Sequence, residues 1–295
     1  MNPFDFRQPD TVEEALTLMR DLGEDARVMA GGTALMIMLK QRLVMPDCLI
    51  SLQKLRGLDQ IDVTNGEIQL GALTTHRAVE RSPEVRTRLP SLAETYAHVA
   101  TIRIRNVATV GGALAHADPN QDPLVMLLAL DAQVRLTSTA GSRQVAIGEF
   151  FTDYYETVCQ PDELVTEVIV PVLKPNSGSV YLKFLPRTAD DYATVGVAAM
   201  VTIDPVSGTC QDCRIAMGCV ASTPVRVPEA ETLVRGGNRL TPELAREAGA
   251  LAQQVTDPIS DARGSAEYKR AMAGVFVRRA LEQAWQRAVA SQGNR

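Results

Sequence analysis

The chain has 295 residues, of which 45% are hydrophobic and 22% charged, a composition typical of a globular protein and not of a disordered one. Its formal net charge of −5 argues against nucleic acid as the main partner, because binding to phosphates requires a basic surface. The best apolar run, residues 124–130, is too short to cross a membrane, and the N-terminus lacks a secretory signal. We therefore expect a cytoplasmic protein of two or more domains.

The N-terminal part of the chain predicts an α/β unit. Thr11 and Glu14 have the spacing of a capping box at a helix start, and Gly23 can end that helix in a left-handed conformation. The sequence then predicts a strand over residues 27–30, a glycine turn at 31–33, a helix over 34–39 and a strand over 48–51. This alternation of helix and strand indicates an α/β arrangement.

The middle of the chain combines hairpins with short helices. Asn65 and Gly66, between the alternating segments 61–64 and 67–71, are a strong signal for a tight hairpin. The pattern also predicts helices over 75–81 and 89–100, a helix that starts at Asp122 and Pro123, a hairpin of 133–137 with 143–146, and a strand over 163–170.

A segment rich in Pro, Gly and Ser, residues 171–179, is the best candidate for a linker. Beyond it the sequence predicts strands over 181–185, 195–203 and 210–217 and helices over 242–254 and 266–291. We therefore expect residues 1–175 to form one domain, with subdomains of about 1–57 and 58–175, and residues 176–295 to form a smaller α+β domain.

Two segments with adjacent glycines are the strongest candidates for a functional site. In the first, AGGTAL at residues 30–35, the glycines leave successive N–H groups uncovered, and these groups can converge on an anion. The start of the next helix adds a partial positive charge, which suits a pyrophosphate. A tight turn without a ligand is the more common meaning of a Gly-Gly pair. The segment matches neither the dinucleotide fingerprint nor a phosphate loop.

The second segment, Thr109 to Ala113, offers another pair of uncovered glycines and a hydroxyl group on Thr109. Asp118 and Asp122 follow, and a carboxylate at that position can accept hydrogen bonds from ribose hydroxyls. The alternative for Asp122 is that it only caps the helix that contains Pro123. Two such segments in one domain indicate a nucleotide cofactor, and this prediction requires that folding brings them together.

The cysteines do not form a recognisable metal site. Cys210 and Cys213 have metal-like spacing, with Cys219 nearby, but no second pair completes a zinc or iron–sulfur ligand set. Cys213, Ile215, Met217 and Cys219 alternate on one face of a predicted strand, so core packing is the better interpretation. Five cysteines, an odd number, also give no disulfide framework.

The histidines indicate no acid–base catalyst. His76 and His98 lie in predicted helices and are interpreted as surface or packing residues, whereas His116 lies next to the second glycine segment. No nucleophile elbow or Ser/His/Asp arrangement is visible. The chain therefore has cofactor-type loops without a catalytic centre.

The two glycine segments, AGGTAL and TVGGALAHADPNQD (residues 109–122), resemble the FAD-binding loops of the flavoprotein subunit of molybdenum hydroxylases. This family comprises the medium subunits of carbon monoxide dehydrogenase-like enzymes and the FAD domain of xanthine dehydrogenase. The resemblance covers nearly the whole chain. It implies an α+β fold, with a two-part FAD-binding domain of the vanillyl-alcohol-oxidase type followed by a C-terminal α+β domain.

The resemblance also implies which residues contact FAD. Its pyrophosphate would be held by the first segment, comprising Val28, Met29, Ala30, Gly31, Gly32, Thr33, Ala34 and Leu35. A second phosphate-binding turn would comprise Thr109, Val110, Gly111, Gly112 and Ala113, the last replacing an Asn found in many members. Asp122 would hold a ribose or adenine-side hydroxyl and Val165 would pack near the adenine, while Lys183 would lie near the cofactor and Tyr192 beside the isoalloxazine.

The function implied by the resemblance is electron transfer. A large subunit with a molybdopterin cofactor would oxidise the substrate, a small subunit would carry two [2Fe–2S] clusters, and this chain would hold the FAD that passes electrons to an external acceptor. A dimer of such heterotrimers is expected. Two alternatives stay open: a stand-alone flavin oxidoreductase of the same fold and a structural subunit without flavin.

Overall fold

The computed structural model describes residues 3–186, 188, 191–237 and 239–291. The N-terminal unit is a parallel three-stranded sheet of order β1-β3-β2 with one helix packed on it. Its elements are β1 (Asp5–Arg7), α1 (Val12–Leu22), β2 (Ala26–Met29), α2 (Leu35–Gln41) and β3 (Cys48–Ser51). The cap at Thr11 is confirmed, because its hydroxyl accepts from the Glu14 N–H, whereas the Glu14 carboxylate accepts from the N–H of Asp10, one residue before the cap.

The second unit is an antiparallel five-stranded sheet covered by short helices. Its first part contains β4 (Ile61–Thr64), β5 (Glu67–Gly71), α3 (His76–Arg81), α4 (Pro83–Arg88), α5 (Pro90–Ala97), α6 (Ile102–Arg105), α7 (Val110–His116) and α8 (Asp122–Ala129). Its second part contains β6 (Gln133–Ser138), β7 (Gly141–Ala146), α9 (Ile147–Phe150), β8 (Phe151–Asp153), β9 (Glu156–Thr157) and β10 (Leu164–Pro171). The strand order is β4-β5-β10-β6-β7, so β10 lies at the centre of the sheet. The predicted hairpin is confirmed, with φ of 54° at Asn65 and 80° at Gly66.

The C-terminal unit is an antiparallel sheet of order β11-β12-β13-β14 with three helices on one face. Its elements are β11 (Ser177–Phe184), β12 (Val195–Ile203), β13 (Cys210–Gly218), β14 (Val225–Arg226), α10 (Pro228–Arg235), α11 (Pro242–Gln254) and α12 (Ala266–Ala290). The other face packs on α8, and Ala198 and Ala216 join the core of the second unit. All nine residues of β12 are buried because both faces are covered, which explains its continuous apolar sequence.

Two features of the N-terminal and middle units differ from the sequence prediction. The second glycine pair does not form a free turn but lies in the first turn of α7. Asp122 is the first residue of α8 and not its cap: the N-cap position belongs to Gln121, and Pro123 lies in the first turn as predicted. None of the described helices is long and apolar enough to cross a membrane.

Candidate functional site: two glycine segments and the domain junction

The first glycine segment contains a turn, residues 31–35, whose main-chain N–H groups have no partner in the described part of the chain. The chain leaves β2 at Met29, turns at Gly32 with φ of +70° and enters α2 at Leu35. Within the described residues, the N–H groups of residues 31–35 donate to no acceptor, and the first bond of the turn runs from the Met36 N–H to the Gly32 carbonyl at 3.0 Å. Successive unpaired N–H groups of this kind form anion-binding concavities. The segment can therefore receive a diphosphate.

The second glycine segment differs, because its N–H groups are already used. The N–H of Val110 donates to Thr74, that of Gly111 to Ala72 and that of Ala113 to Thr109, all to main-chain carbonyls at 2.8–3.0 Å. The expectation of an uncovered glycine pair is therefore wrong, because the N–H groups of both Gly111 and Gly112 have acceptors. Only the N–H of Gly112 donates to a side chain, the Thr109 hydroxyl at 3.1 Å, which caps α7. Contact of this segment with a cofactor stays a prediction.

The two glycine segments lie against each other. A Cβ atom built on Gly31 would overlap the carbonyl oxygen of Val107, two residues before Thr109. A Cβ atom on Gly112 would lie 3.7 Å from the Cβ of Ala30. Gly31 is therefore required by the close approach of the second segment. Folding thus brings together the two segments, as the prediction of a shared site requires.

Asp122 and Lys183 form a buried ion pair at the junction of the second and C-terminal units. One carboxylate oxygen of Asp122 accepts from Lys183 Nζ at 2.9 Å, and the other accepts from the Tyr181 hydroxyl at 2.6 Å. Lys183 Nζ also donates to the carbonyl of His98 at 3.0 Å. Burial raises the pKa of Asp122, and the charge of Lys183 opposes that rise. The ribose contact predicted for Asp122 stays a prediction, but both of its oxygens already have one partner here.

Tyr192 lies in a second polar group at the same junction. The Arg263 guanidinium lies 5.3 Å from the centre of its ring, and Arg263 also pairs with Asp191 at 3.1 Å. Burial, reinforced by the charge of Asp118, raises the pKa of Tyr192. Nearby, the His116 and Tyr155 rings are 5.3 Å apart, and burial lowers the pKa of His116. The ring of Tyr192 keeps an exposed edge, which leaves it able to contact a bound molecule.

Val165 is buried in β10, opposite Leu136, and belongs to the core of the second unit. Its neighbour Leu164 belongs to the core of the N-terminal unit, so this point of β10 joins the two subdomains.

The sequence analysis missed the role of Tyr181, although its alternation with Lys183 on β11 places both polar groups on one face of the strand. Among the described residues, no three His, Cys, Asp or Glu side chains converge as a metal-ligand set.

Comparison with known proteins identifies the family. Residues 2–173 match the family described as "FAD binding domain in molybdopterin dehydrogenase", and residues 180–284 match "CO dehydrogenase flavoprotein C-terminal domain". The chain is 37% identical to the carbon monoxide dehydrogenase medium chain of Afipia carboxidovorans, over 97% of this chain and 98% of that one. It is also 37% identical to the 6-hydroxypseudooxynicotine dehydrogenase complex subunit alpha of Paenarthrobacter nicotinovorans, over 97% and 95% of the two chains.

Solved structures agree with these matches. A chain of reconstituted CO dehydrogenase from Oligotropha carboxidovorans superimposes with a TM-score of 0.93 at 36% identity, over 97% of this chain and 99% of that one. The chain belongs to the family of FAD-binding medium subunits of molybdenum hydroxylases. A chain of quinoline 2-oxidoreductase from Pseudomonas putida 86 gives a TM-score of 0.91 at 31% identity, over 97% and 98% of the two chains. The α+β fold expected for this family of medium subunits is confirmed.

The first glycine segment fits the cofactor of this medium-subunit family. Five consecutive N–H donors that have no acceptor among the residues the structure describes match a diphosphate, which is rich in acceptor oxygens. Gly32 has a left-handed φ, a conformation that residues with a side chain rarely adopt. The backbone of this turn therefore favours glycine at position 32. The turn is half-buried, so N–H groups that find no acceptor within the described chain need one from water or from a ligand.

Proposed function

We propose that this chain binds FAD through its first glycine segment and acts as the electron-transfer subunit of a heteromeric molybdenum hydroxylase. The observation that carries the proposal is the run of unpaired N–H groups over residues 31–35, in a chain of the FAD-binding medium-subunit family. In this proposal the chain receives electrons from [2Fe–2S] clusters of a small subunit, while a molybdopterin-containing large subunit oxidises the substrate. An external acceptor removes the electrons.

The roles proposed for individual residues follow their places in the structure. The main chain of Val28 to Leu35 binds the diphosphate, and the segment Thr109 to Ala113 packs against it, with Gly112 close to Ala30. Val165, at the joint of the two subdomains, is proposed to pack near the adenine. At the junction with the C-terminal unit, Lys183 is proposed to lie near the cofactor and Tyr192 beside the isoalloxazine.

The chemistry in this proposal belongs to the cofactor, and the chain supplies position and surroundings. When bound, FAD would supply one- and two-electron exchange. The chain holds the diphosphate with main-chain donors and pairs Lys183 with Asp122 at 2.9 Å. The proposed division into a FAD-binding domain of residues 1–175 and a C-terminal domain of residues 176–295, and a cytoplasmic location, belong to this proposal as well.

Reconstitution with FAD tests the binding site. Gly32→Ala places a methyl group at a left-handed position within the segment, 3.2 Å from the Met29 sulfur. Gly57→Ala is a matched control, because Gly57 has φ of +81° and no atom within 4 Å of its added Cβ. Both variants carry a similar backbone cost of about 1 kcal/mol. We expect the FAD dissociation constant to rise at least tenfold for Gly32→Ala and to stay unchanged for Gly57→Ala, and equal affinities would contradict the assignment.

Co-purification tests the role of the chain as a subunit. A tagged version of the chain, expressed in the organism that encodes it, should be isolated together with partner chains that contain molybdenum and iron in stoichiometric amounts. Isolation of a yellow chain alone, active on its own substrate, would instead support a stand-alone flavin oxidoreductase. A chain that takes up no added FAD would support a structural subunit.

A further inference from the structure

Cys210 and Cys213 lie on the same face of β13 because of a bulge between them. Cys213 faces Val201 of β12 and Cys210 faces Ile203, whereas Gln211 has no partner in the ladder. Without this extra residue, side chains three positions apart would point to opposite faces of the sheet. The burial pattern agrees, because both cysteines are buried in the core of the C-terminal unit while Gln211 is exposed. The bulge therefore converts a C-x-x-C sequence into a facing pair of thiols.

The two thiols contact each other, and their surroundings make them unequal. The interaction between the two neighbouring thiols lowers the pKa of Cys210 and raises that of Cys213. Three charged groups lie near the pair. The guanidinium of Arg235 lies on the side of Cys210, Glu231 lies on the side of Cys213, and Asp212 lies between them and pairs with Arg235 at 3.8 Å. Cys210 is thus the better nucleophile of the two.

Cys210 is also the cysteine of the pair nearer to solvent. It is the first residue of β13, follows the half-buried Gly208 and Thr209, and precedes the exposed Gln211. Its thiol donates a hydrogen bond to the main-chain carbonyl of Asp212 at 3.3 Å, which fixes the position of the sulfur beside β13. Cys213 lies deeper, with no exposed surface. A small oxidant entering from the end of the strand meets Cys210 first.

We propose that Cys210 and Cys213 form a redox pair that closes to a disulfide when the protein encounters hydrogen peroxide. The site is independent of the proposed FAD-binding segment, because it lies in the C-terminal unit between β13 and α10. Core packing alone, the interpretation favoured by the sequence, does not require that a bulge bring the two sulfur atoms into contact. The proposal therefore adds a modification site to a strand that otherwise has only a structural role.

The reaction proceeds in two steps with the peroxide as the oxidant. The Cys210 thiolate attacks one oxygen of hydrogen peroxide, so that an S–O bond forms, the O–O bond breaks and the departing hydroxide takes a proton to become water. The sulfur of Cys213 then attacks the sulfenic acid of Cys210, so that an S–S bond forms, the S–O bond breaks and the hydroxyl leaves as water with the Cys213 proton. Two thiols lose two electrons in total, and one peroxide becomes two waters.

The remaining cysteines lack these properties. All five cysteines are free thiols, and burial raises the pKa of Cys48, Cys159 and Cys219. None of these three has another cysteine among the groups that shift its pKa. They serve as internal references, because a non-specific oxidant would modify them as readily as the pair.

Peptide mapping of the full chain tests the proposal. The purified protein is treated with increasing hydrogen peroxide, unfolded, alkylated and digested with trypsin, which gives a peptide of residues 188–214 with Cys210 and Cys213 as its only cysteines. We expect this peptide to lose two hydrogen atoms, to resist alkylation and to regain two alkylation sites after treatment with dithiothreitol. Circular dichroism before unfolding confirms that oxidation occurs in the folded protein.

Two variants separate the roles of the thiols. Cys213→Ser should leave Cys210 as a sulfenic acid that dimedone traps, whereas Cys210→Ser should slow peroxide oxidation of the peptide at least tenfold. If the wild-type peptide keeps both alkylation sites at peroxide concentrations that oxidise Cys159, the proposal is wrong. Oxidation of the peptide only after the protein is unfolded would also overturn the proposal. Both of these measurements use the wild-type chain, so they do not depend on whether a variant folds.

Discussion

Lys183 Nζ lies 2.9 Å from the carboxylate of Asp122, and each of the two side chains is only 4% exposed. Lys183 belongs to the first strand of the C-terminal unit and Asp122 to the first turn of α8 in the preceding unit. Tyr181 donates to the same carboxylate from the same strand face. The two units are therefore joined by a buried, hydrogen-bonded charge pair as well as by apolar packing.

Removal of Lys183 should destabilise the chain strongly. Lys183→Met leaves the carboxylate of Asp122 buried with only Tyr181 as a partner, and breaking such a pair costs about 3–5 kcal/mol. Urea unfolding measures the loss, and Lys174→Met, at an exposed loop position, should change the free energy of unfolding by less than about 0.5 kcal/mol. Adding Asp122→Leu to Lys183→Met should recover part of the loss. Equal effects of the two lysine variants would show that the pair contributes nothing.

The cap of α7 gives a test of the second glycine segment. Thr109→Ala removes the acceptor for the Gly112 N–H, which costs about 1 kcal/mol and frees one donor at the proposed site. Thr241→Ala removes an equivalent cap from α11, where Thr241 accepts from the Leu244 N–H at 3.2 Å. We expect similar losses of stability, measured by urea unfolding, but an altered FAD affinity only for Thr109→Ala. Unchanged FAD affinity in both would remove Thr109 from the proposed site.

Gly111 should contribute to the stability of the folded chain even when no cofactor is bound. A Cβ atom there would lie 2.5 Å from the Cβ of Ala72, and the Gly111 N–H already donates to the Ala72 carbonyl. We expect Gly111→Ala to lower the free energy of unfolding of the FAD-free chain by about 1–3 kcal/mol. The control Gly148→Ala, whose Cβ would make an ordinary contact of 3.5 Å with Leu128, should be neutral or stabilising. A fully stable Gly111→Ala chain would contradict this packing.

His76 should make the protein sensitive to mild acid. Its ring is buried against Tyr96, and burial, opposed in part by the main chain of Thr109 and aided by the Arg105 cation, lowers its pKa to about 4. In the unfolded chain a histidine has a pKa of about 6.5. The unfolded state therefore binds the extra proton between these values, and the free energy of unfolding should fall as the pH drops from about 7 to about 4.

The size of the His76 effect follows from the two pKa values. The maximum loss is about 3 kcal/mol, since each pH unit contributes about 1.4 kcal/mol. Urea unfolding at several pH values measures the slope. His76→Leu should flatten the slope over this interval, whereas His98→Leu, at an exposed position, should retain it. An identical slope in wild type and His76→Leu would show that His76 does not carry the effect.

Elements with a strong local signal could be predicted from the sequence. The apolar run of β12 gave its bounds because both faces are covered, and Asn65-Gly66 identified its hairpin because both positions need a positive φ. The helix α11 also begins and ends where the pattern predicts, with Thr241 as its cap. In these cases the local residues alone are enough to predict the position of the element.

The interpretations that needed correction depend on distant parts of the chain. Whether the N–H of Gly111 is free depends on Ala72, and the surroundings of Asp122 depend on a lysine 61 residues later. The contact of Cys210 with Cys213 depends on a bulge defined by the register with β12. No local pattern encodes these pairings, and they appear only when the sheets and domains have assembled.

The position of β10 at the centre of its sheet has a consequence for synthesis. Its neighbours β5 and β6 are both made earlier, and they pair with β10 and not with each other. A nascent chain that ends before Leu164 thus carries two open strand edges, one on β5 and one on β6. The ribosome must release residues 164–171 before this unit can close, so shorter translation products should be the ones that chaperones and proteases encounter.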